Sequence, residues 1–471
     1  MPRRRSTPSV GVVGVGYVGL ATGLAFAHHG LRVLAYDSNP TTRRRLRLAK
    51  SPYREAGLEQ LLRAQSRSRR IRPVDDLPAV LRGTEAIFLC VPTPRGTGGS
   101  IDLAPVLSAV RSLARELAKA PGYRLIVVKS TVVPGTTVDV IEPLLRRESG
   151  KGVRELGVAC NPEFLAEGSM VRDALHPERI VLGVSDPRSA HLLREVYRRF
   201  AAPIFELSPS GAELVKYSAN AFLAQKVSFA NEVGRLCERL GENVDHVMEA
   251  VGADARIGRR FLRAGPGFGG SCFDKDLRAI VSRADELGVR FRTARSALAA
   301  NEDQMRHVLR LLQRSAGTLR GRTVTVLGVA FKAGSDDVRE SRAFPIVRGL
   351  LDKGARVRLH DPFALHAFSR EWVGGGWGRS GDLTLCRSPA NALRGADLAV
   401  LQADWPEYRR WSAAWTRGMR RPILVDLRRS ISKATAARSG LDVIALGVGR
   451  PSPVGRRNPL PGHAIAEGGT P

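Results

Sequence analysis

The sequence predicts an α/β fold: two doubly wound, Rossmann-like units of parallel sheet, joined by a long central helix and the helices that follow it. Three observations predict it. A short apolar strand runs into Gly14-x-Gly16-x-x-Gly19 and a helical pattern, and an acid, Asp37, closes the next strand. A strand and turn of the same kind recur at 323–332, followed by the strand Arg356-Val-Arg-Leu-His-Asp361. Between the two, one amphipathic helical pattern runs from about Ser210 to Leu240. The expected divisions are 1–207 for the first unit, 208–318 for the central helices, 319–450 for the second unit and 451–471 for a disordered tail. That tail is rich in Pro, Gly and Arg.

The first strand and turn meet the context that a dinucleotide fingerprint requires. Strand, glycine turn and helix follow in order, and Asp37 lies 23 residues beyond Gly14. The glycines permit a tight turn and bring a pyrophosphate to the helix N-terminus. Asp37 can accept the adenosine ribose hydroxyls and would repel a 2′-phosphate, so NAD is expected over NADP. Arg43, Arg44 and Arg45 pull the other way.

Later strands bring polar residues to the carboxyl edge of the same sheet, where open α/β folds bind ligands. The strand Ala86-Ile-Phe-Leu-Cys-Val91 ends in Pro92-Thr93-Pro94, and Leu125-Ile-Val-Val-Lys129 ends in Ser130-Thr131. The strand Leu156-Gly-Val-Ala-Cys160 enters Asn161-Pro162-Glu163. Asn161 is expected to cap a helix with Pro162 at its first position, so that Glu163 and Glu167 share one face. The two acids then either complement the helix dipole or belong to a site.

On the long helix, Lys216 and Asn220 stand four apart on one face among apolar and small residues, which suits a cleft. Downstream, Gly265-Pro266-Gly267-Phe268-Gly269-Gly270 runs into Ser271-Cys272-Phe273-Asp274-Lys275-Asp276. The glycines let the backbone come close to a ligand, because no Cβ intervenes. Lys275 beside the thiol favours a thiolate nucleophile; a glycine turn with an inert buried cysteine is the other reading. In the second unit the glycine fingerprint is lost. Lys332 stands where its turn would close, which points to a phosphate-binding lysine rather than a second dinucleotide site.

Composition bounds the function. An apolar fraction of 43% is that of a globular protein. No apolar run reaches the roughly 18 residues of a membrane span, so no membrane partner is expected. Five scattered cysteines suggest free thiols in a reducing, cytoplasmic setting, and none has metal-ligand spacing. The net charge is +29, yet only ten of the 74 basic residues are lysine. Arginine is the default cation of this chain, so the charge is a spread bias that suits an anionic substrate. No specific nucleic-acid signature accompanies it.

These motifs resemble those of the UDP-glucose/GDP-mannose dehydrogenase family over nearly the whole chain to about residue 430. The matching stretches are the fingerprint, 90–94, 129–131, 161–168, 213–232, 256–262, 265–276, 328–332 and 336–341. Asp274 stands where the family usually has proline, and Leu427 where it has glycine. The resemblance implies NAD as cofactor, UDP-glucose as substrate and a homodimer or higher oligomer built on the long helix. It implies oxidation of C6 to UDP-glucuronate through a thiohemiacetal and a thioester on Cys272, the alternative substrates being GDP-mannose or a UDP-N-acetylhexosamine. The roles it implies are catalytic for Cys272, Lys216, Asn220, Asp276, Glu163 and Thr131. It implies NAD contacts at Gly14, Gly16, Tyr17, Val18, Gly19, Asp37, Thr93, Thr131, Glu167, Lys275 and Arg339. Substrate contacts are implied at Glu163, Phe164, Leu165, Glu167, Lys216, Asn220 and Arg256, and at Phe261, Gly265, Gly269, Cys272, Lys332 and Arg428.

Overall fold

The computed structural model describes residues 8–449 except 54, 153, 167 and 378–380, and describes Ser271 and Cys272 by their backbone alone. Glu167 and the stretch 451–471 therefore lie outside the described residues.

The first sheet has strands β1 (Ser9–Val13), β2 (Arg32–Tyr36), β3 (Ile71–Pro73), β4 (Ala86–Leu89), β5 (Arg124–Val128), β6 (Leu156–Cys160), β7 (Ile180–Gly183) and β8 (Ile204–Leu207). Their order is β3-β2-β1-β4-β5-β6-β7-β8. The pairings are parallel except β6 with β7, which is antiparallel. β4 and β6 are buried along their whole length, and β5 from its second residue on. A parallel sheet covered on both faces demands such continuous apolar strands, and these three read as such.

The second sheet has β9 (Thr323–Leu327), β10 (Arg356–His360), β11 (Leu383–Leu385), β12 (Leu398–Leu401), β13 (Ile423–Asp426) and β14 (Asp442–Ala445). Its order, β11-β10-β9-β12-β13-β14, repeats that of the first six strands of the first sheet. In each sheet the chain reverses direction of travel beside the first strand, which opens a crevice at the carboxyl ends.

The repeat runs deeper than the sequence suggested. The Gly14 N–H donates to Tyr36 O at 2.9 Å, and the Gly328 N–H donates to His360 O at 2.8 Å. Gly14 has φ +88° and Gly328 has φ +86°. The first glycine of the fingerprint thus survives in the second unit, although the fingerprint as a whole is lost. Ala330 and Ala333 follow at the spacing of Gly16 and Gly19. Asp361 repeats Asp37 but is buried, and its carboxylate accepts from the N–H groups of Val329, Ala330, Phe363 and Ala364 and from the Trp405 indole. Five donors saturate it, so no acceptor remains for a ribose.

Between the sheets the helix Pro209–Leu240 runs for 32 residues, capped by Ser208 and ended by Gly241 in the left-handed region. The helices Gly270–Glu286 and Arg292–Ala316 pack against it. Glu213 ties its first turns to the first unit. The Glu213 carboxylate accepts from the N–H groups of Gly135 (2.7 Å) and Thr137 (2.9 Å) and from the Thr137 hydroxyl (2.6 Å).

Candidate functional site

The fingerprint glycines serve two different purposes. A Cβ on Gly14 would stand 2.7 Å from Cys90 O, and one on Gly19 would stand 1.9 Å from Gly14 O. Both positions are glycine because protein fills the space. A Cβ on Gly16 would meet nothing nearer than the Tyr53 hydroxyl at 3.9 Å. That open cradle, at the N-terminus of the helix Tyr17–His28, fits a pyrophosphate. Asp37 lies beside it; its Oδ2 accepts from the Val15 N–H at 2.7 Å and its Oδ1 from the Asn39 N–H at 2.9 Å. Each oxygen keeps a further lone pair for a ribose hydroxyl. Three of the neighbouring arginines are already engaged. The Arg43 guanidinium donates to Asp37 O at 2.6 Å and Ser38 O at 3.0 Å, Arg45 donates to Ser51 O at 2.7 Å, and Arg47 pairs with Asp75. Tyr17 stacks on Tyr53 with centroids 4.1 Å apart, and Arg339 from the second unit reaches over the Tyr17 ring at 6.0 Å.

Farther along the same sheet edge, two hydrogen-bonded pairs bring the sequence-nominated residues together. The Lys216 ammonium donates to Glu163 Oε1 at 2.9 Å, and both side chains are buried. The second Glu163 oxygen accepts from the Leu165 N–H at 2.6 Å. Burial alone would raise the Glu163 carboxyl, but the adjacent Lys216, the Leu165 N–H and the more distant Lys129 outweigh it and hold it below its ordinary value. The Phe164 ring lies 5.7 Å from the Lys216 nitrogen and has Arg179 over it at 4.0 Å. One turn along the long helix, the Asn220 amide donates to Asp276 Oδ2 at 2.7 Å, and Lys275 donates to Asp276 Oδ1, also at 2.7 Å. Asp276 is 1% exposed. Cys272 is the third residue of the helix Gly270–Glu286, one turn before Asp276. Thr93 is buried and Thr131 half-buried at the ends of the strand runs that deliver them.

Two local expectations fail. Residues 161–166 form no helix, and Asn161 caps nothing. Its side-chain oxygen instead accepts from Lys129 at 2.9 Å and from the Tyr197 hydroxyl, and its amide donates to Val181 O at 2.9 Å. These tertiary partners outcompete the cap, and no helix forms over 161–166 to carry Glu163. The glycines of 265–270, expected to approach a ligand, approach protein. A Cβ on Gly267 would stand 2.5 Å from Asn301 Oδ1, one on Gly269 2.3 Å from Glu340 O, and one on Gly270 2.6 Å from the Phe331 ring. The backbone of Gly265 is also engaged within the protein: its N–H donates to Asn231 Oδ1 at 2.7 Å and its carbonyl accepts from Gln304 at 2.8 Å. Their service is to seat the Cys272 helix against the second unit.

Of the remaining nominated residues, Arg428 comes closest to this stretch. A Cβ on Gly265 would stand 3.2 Å from its Nη1, and its Nε donates to Gln402 O at 2.7 Å. Burial lowers the Arg428 guanidinium to about 10. The Lys332 ammonium would stand 3.5 Å from a Cβ on Gly168, so it bridges toward the first unit. Phe261 has φ +65° and meets Phe273 edge-on at 6.0 Å. Arg256 is not brought to these pairs; it is exposed and paired with Asp254 at 2.7 Å. The sequence named Lys129 without giving it a role, and it passed over Tyr53 and Arg342. Arg342 donates to Asn301 O at 2.9 Å and Pro266 O at 3.3 Å, which ties the second unit to the glycine stretch. Its spacing gave no local signal.

Comparison with known proteins agrees with this geometry. Residues 8–201 match the NAD binding domain of the UDP-glucose/GDP-mannose dehydrogenase family, 210–303 its central domain and 325–433 its UDP binding domain. The chain is 40% identical to the UDP-glucose 6-dehydrogenase of Haloferax volcanii, over 92% of this chain and 99% of that protein. It superposes on the structure of a UDP-glucose dehydrogenase from Pyrobaculum islandicum with a TM-score of 0.85 at 39% identity, covering 94% of this chain and 99% of that one. A UDP-D-ManNAc dehydrogenase from Pyrococcus horikoshii gives a TM-score of 0.81 at 26% identity, over 94% of this chain and 100% of that one. The chain belongs to the UDP-glucose/GDP-mannose dehydrogenase family and is an NAD-dependent nucleotide-sugar dehydrogenase.

Proposed function

We propose that the enzyme oxidises UDP-glucose at C6 to UDP-glucuronate, reducing two NAD per sugar. The observation that carries this reading is the pair of buried couples, Glu163–Lys216 and Asn220–Asp276, beside the helix that bears Cys272. Removing one hydride needs neither a cysteine nor a second carboxylate. A four-electron oxidation needs a nucleophile to add to the aldehyde before a second hydride can leave; the cysteine supplies it, and the second carboxylate can serve the hydrolysis that follows.

The open Gly16 cradle and Asp37 would hold NAD, which would supply the hydride acceptor for each oxidation. The protein supplies the rest. As the first hydride leaves C6, O6 loses its proton toward Asp276, with Lys216 and Asn220 stabilising charge on the oxygen. The Cys272 sulfur then adds to C6 of the aldehyde, which gives a thiohemiacetal. Loss of the second hydride from C6 and of the hydroxyl proton gives a thioester. Glu163, kept ionised by Lys216, takes a proton from water; water adds to C6, and the C6–S bond breaks to release the carboxylate and the thiol. Thr131 and Glu167 serve the water and nicotinamide end. Thr93, Lys275 and Arg339 serve NAD. Phe164, Leu165, Phe261, Lys332 and Arg428 enclose the nucleotide sugar, the arginine and lysine countering its diphosphate.

The protein is also proposed to act as a dimer. Leu214, Phe222, Phe229, Leu236 and Leu240 are 47%, 63%, 51%, 61% and 74% exposed along the long helix. They recur at seven- or eight-residue steps with a final step of four, one stripe that a second copy would cover. Substrate identity is tested by supplying UDP-glucose, GDP-mannose and UDP-N-acetylhexosamines with NAD and comparing kcat/KM. A preference of tenfold or more for UDP-glucose supports the reading; a preference for an N-acetylhexosamine reassigns the substrate and leaves the chemistry.

A further inference from the structure

The family motif Lys129-Ser-Thr contributes Thr131 to the proposed site, while Lys129 takes no part in the chemistry described above. Its environment is unusual for a lysine. It is 7% exposed at the end of β5, and its ammonium donates to both Asn161 O (3.3 Å) and Asn161 Oδ1 (2.9 Å). A buried ammonium is costly unless hydrogen bonds and charge compensate it. Asn161 is in turn fixed from three other sides. Its N–H donates to Val128 O at 2.9 Å, its amide donates to Val181 O at 2.9 Å, and its side-chain oxygen accepts from the Tyr197 hydroxyl. Two residues later comes Glu163. The chain between has no regular structure to set its path.

Charge points the same way. Burial lowers the Lys129 ammonium, while Cys90, Glu163 and Cys160 favour its charge and Lys216 opposes it. Burial pushes the Cys90 thiol up to about 12, with Lys129 lowering it and Glu163 raising it. The Cys90 thiol is therefore neutral and leaves Glu163 as the anion between two ammoniums. Glu163 thus has Lys216 facing it from the long helix, Lys129 from the end of β5 and the neutral Cys90 from the end of β4.

We infer that Lys129 is a positioning residue: its ammonium anchors the strand-end segment that carries Glu163, and so sets the geometry and charge of the Glu163–Lys216 couple. It touches neither nucleotide nor sugar in this scheme and acts through Asn161 and Glu163. The inference rests on the water-activating role proposed for Glu163, but its structural half stands apart from that role.

Lys129→Met tests it, since methionine keeps much of the side-chain length and removes the charge. The inference expects kcat with UDP-glucose to fall roughly 10- to 100-fold, the scale of a small misplacement of a reacting group. KM for NAD should change little. Glu163 titrates with a depressed value, so activity that needs its anion is present at higher pH and is lost as pH falls. With one ammonium removed, that loss should begin at higher pH, which moves the acid limb of the kcat profile upward. A crystal structure of the variant should show Asn161 released and Glu163 displaced from Lys216. Parent kcat with an unmoved acid limb, or an unchanged 161–165 segment, would overturn the inference. If Lys129→Met does not fold, Lys129→Arg decides the matter: it keeps the charge in altered geometry, so kcat should fall with the acid limb in place, and a moved limb contradicts the assignment. Cys272→Ala turning over like the parent would instead refute the covalent scheme, and the displacement of Glu163 in the crystal would still judge Lys129.

Discussion

At the scale of single residues, the account depends on which polar groups are already satisfied. Asp37 retains acceptor capacity beside an open cradle, whereas its repeat Asp361 has none. Arg43 donates to Asp37 O and Ser38 O. The sequence weighed Arg43, Arg44 and Arg45 against NAD, and the structure engages Arg43 and Arg45 with backbone carbonyls. Steady-state kinetics should therefore favour NAD over NADP by at least about tenfold, the scale of a ~1.4 kcal/mol electrostatic preference. Equal kcat/KM for the two would contradict the role of Asp37. Lys216 supports both Glu163 and the developing oxyanion. Lys216→Ala should lower kcat by about 10²-fold or more, as loss of an oxyanion donor does, with UDP-glucose affinity changed far less. Calorimetric titration of the variant with UDP-glucose checks the second half; near-normal kcat with weak binding would make Lys216 a binding residue.

Among the elements, the glycine turn after β1 separates packing from ligand. Gly19→Ala would drive a methyl against Gly14 O, in a turn with no room to yield, and should cost several kcal/mol of stability. Gly16→Ala would meet only the Tyr53 hydroxyl, at an unstrained 3.9 Å, so its melting temperature should stay near that of the parent. Its KM for NAD should rise about tenfold or more, because the methyl enters the pyrophosphate cradle. Melting curves and NAD kinetics on the two variants check this; an unaltered KM for Gly16→Ala would remove the cradle from the cofactor site. This turn was legible in the sequence because every part of it is local. The same is true of the long helix, whose 3.6-residue pattern ends at a glycine. Asn161 was not legible. Asn-Pro-Glu has the local chemistry of a helix start, and the partners that override it, Lys129 and Tyr197, lie 32 and 36 residues away. Glycines at 265–270 show the same limit. Sequence marks them as places of close approach, but not whether ligand or protein approaches, and Asn301, Glu340 and Phe331 turn out to be the neighbours.

On the scale of the whole molecule, two sheets of one topology have diverged in what their crevices hold. The first keeps an open turn and a receptive acid; the second keeps Gly328 and Asp361 as structure and offers Lys332 and Arg428. The central helices place Lys216 and Asn220 from one helix and Asp276 from another between them. The exposed apolar stripe on the long helix predicts a dimer. Phe229→Asp should convert it to monomer in multi-angle light scattering, and a parent that is already monomeric at micromolar concentration would contradict the interface. The central claim is that one sulfur couples two oxidations, and NADH released per UDP-glucose consumed tests it most directly, measured side by side for the parent and Cys272→Ala. The account predicts two NADH and UDP-glucuronate from the parent, and no sustained uronate formation from the alanine variant despite retained NAD binding. One NADH per sugar from the parent, or UDP-glucuronate from Cys272→Ala at the parent's rate, would contradict it.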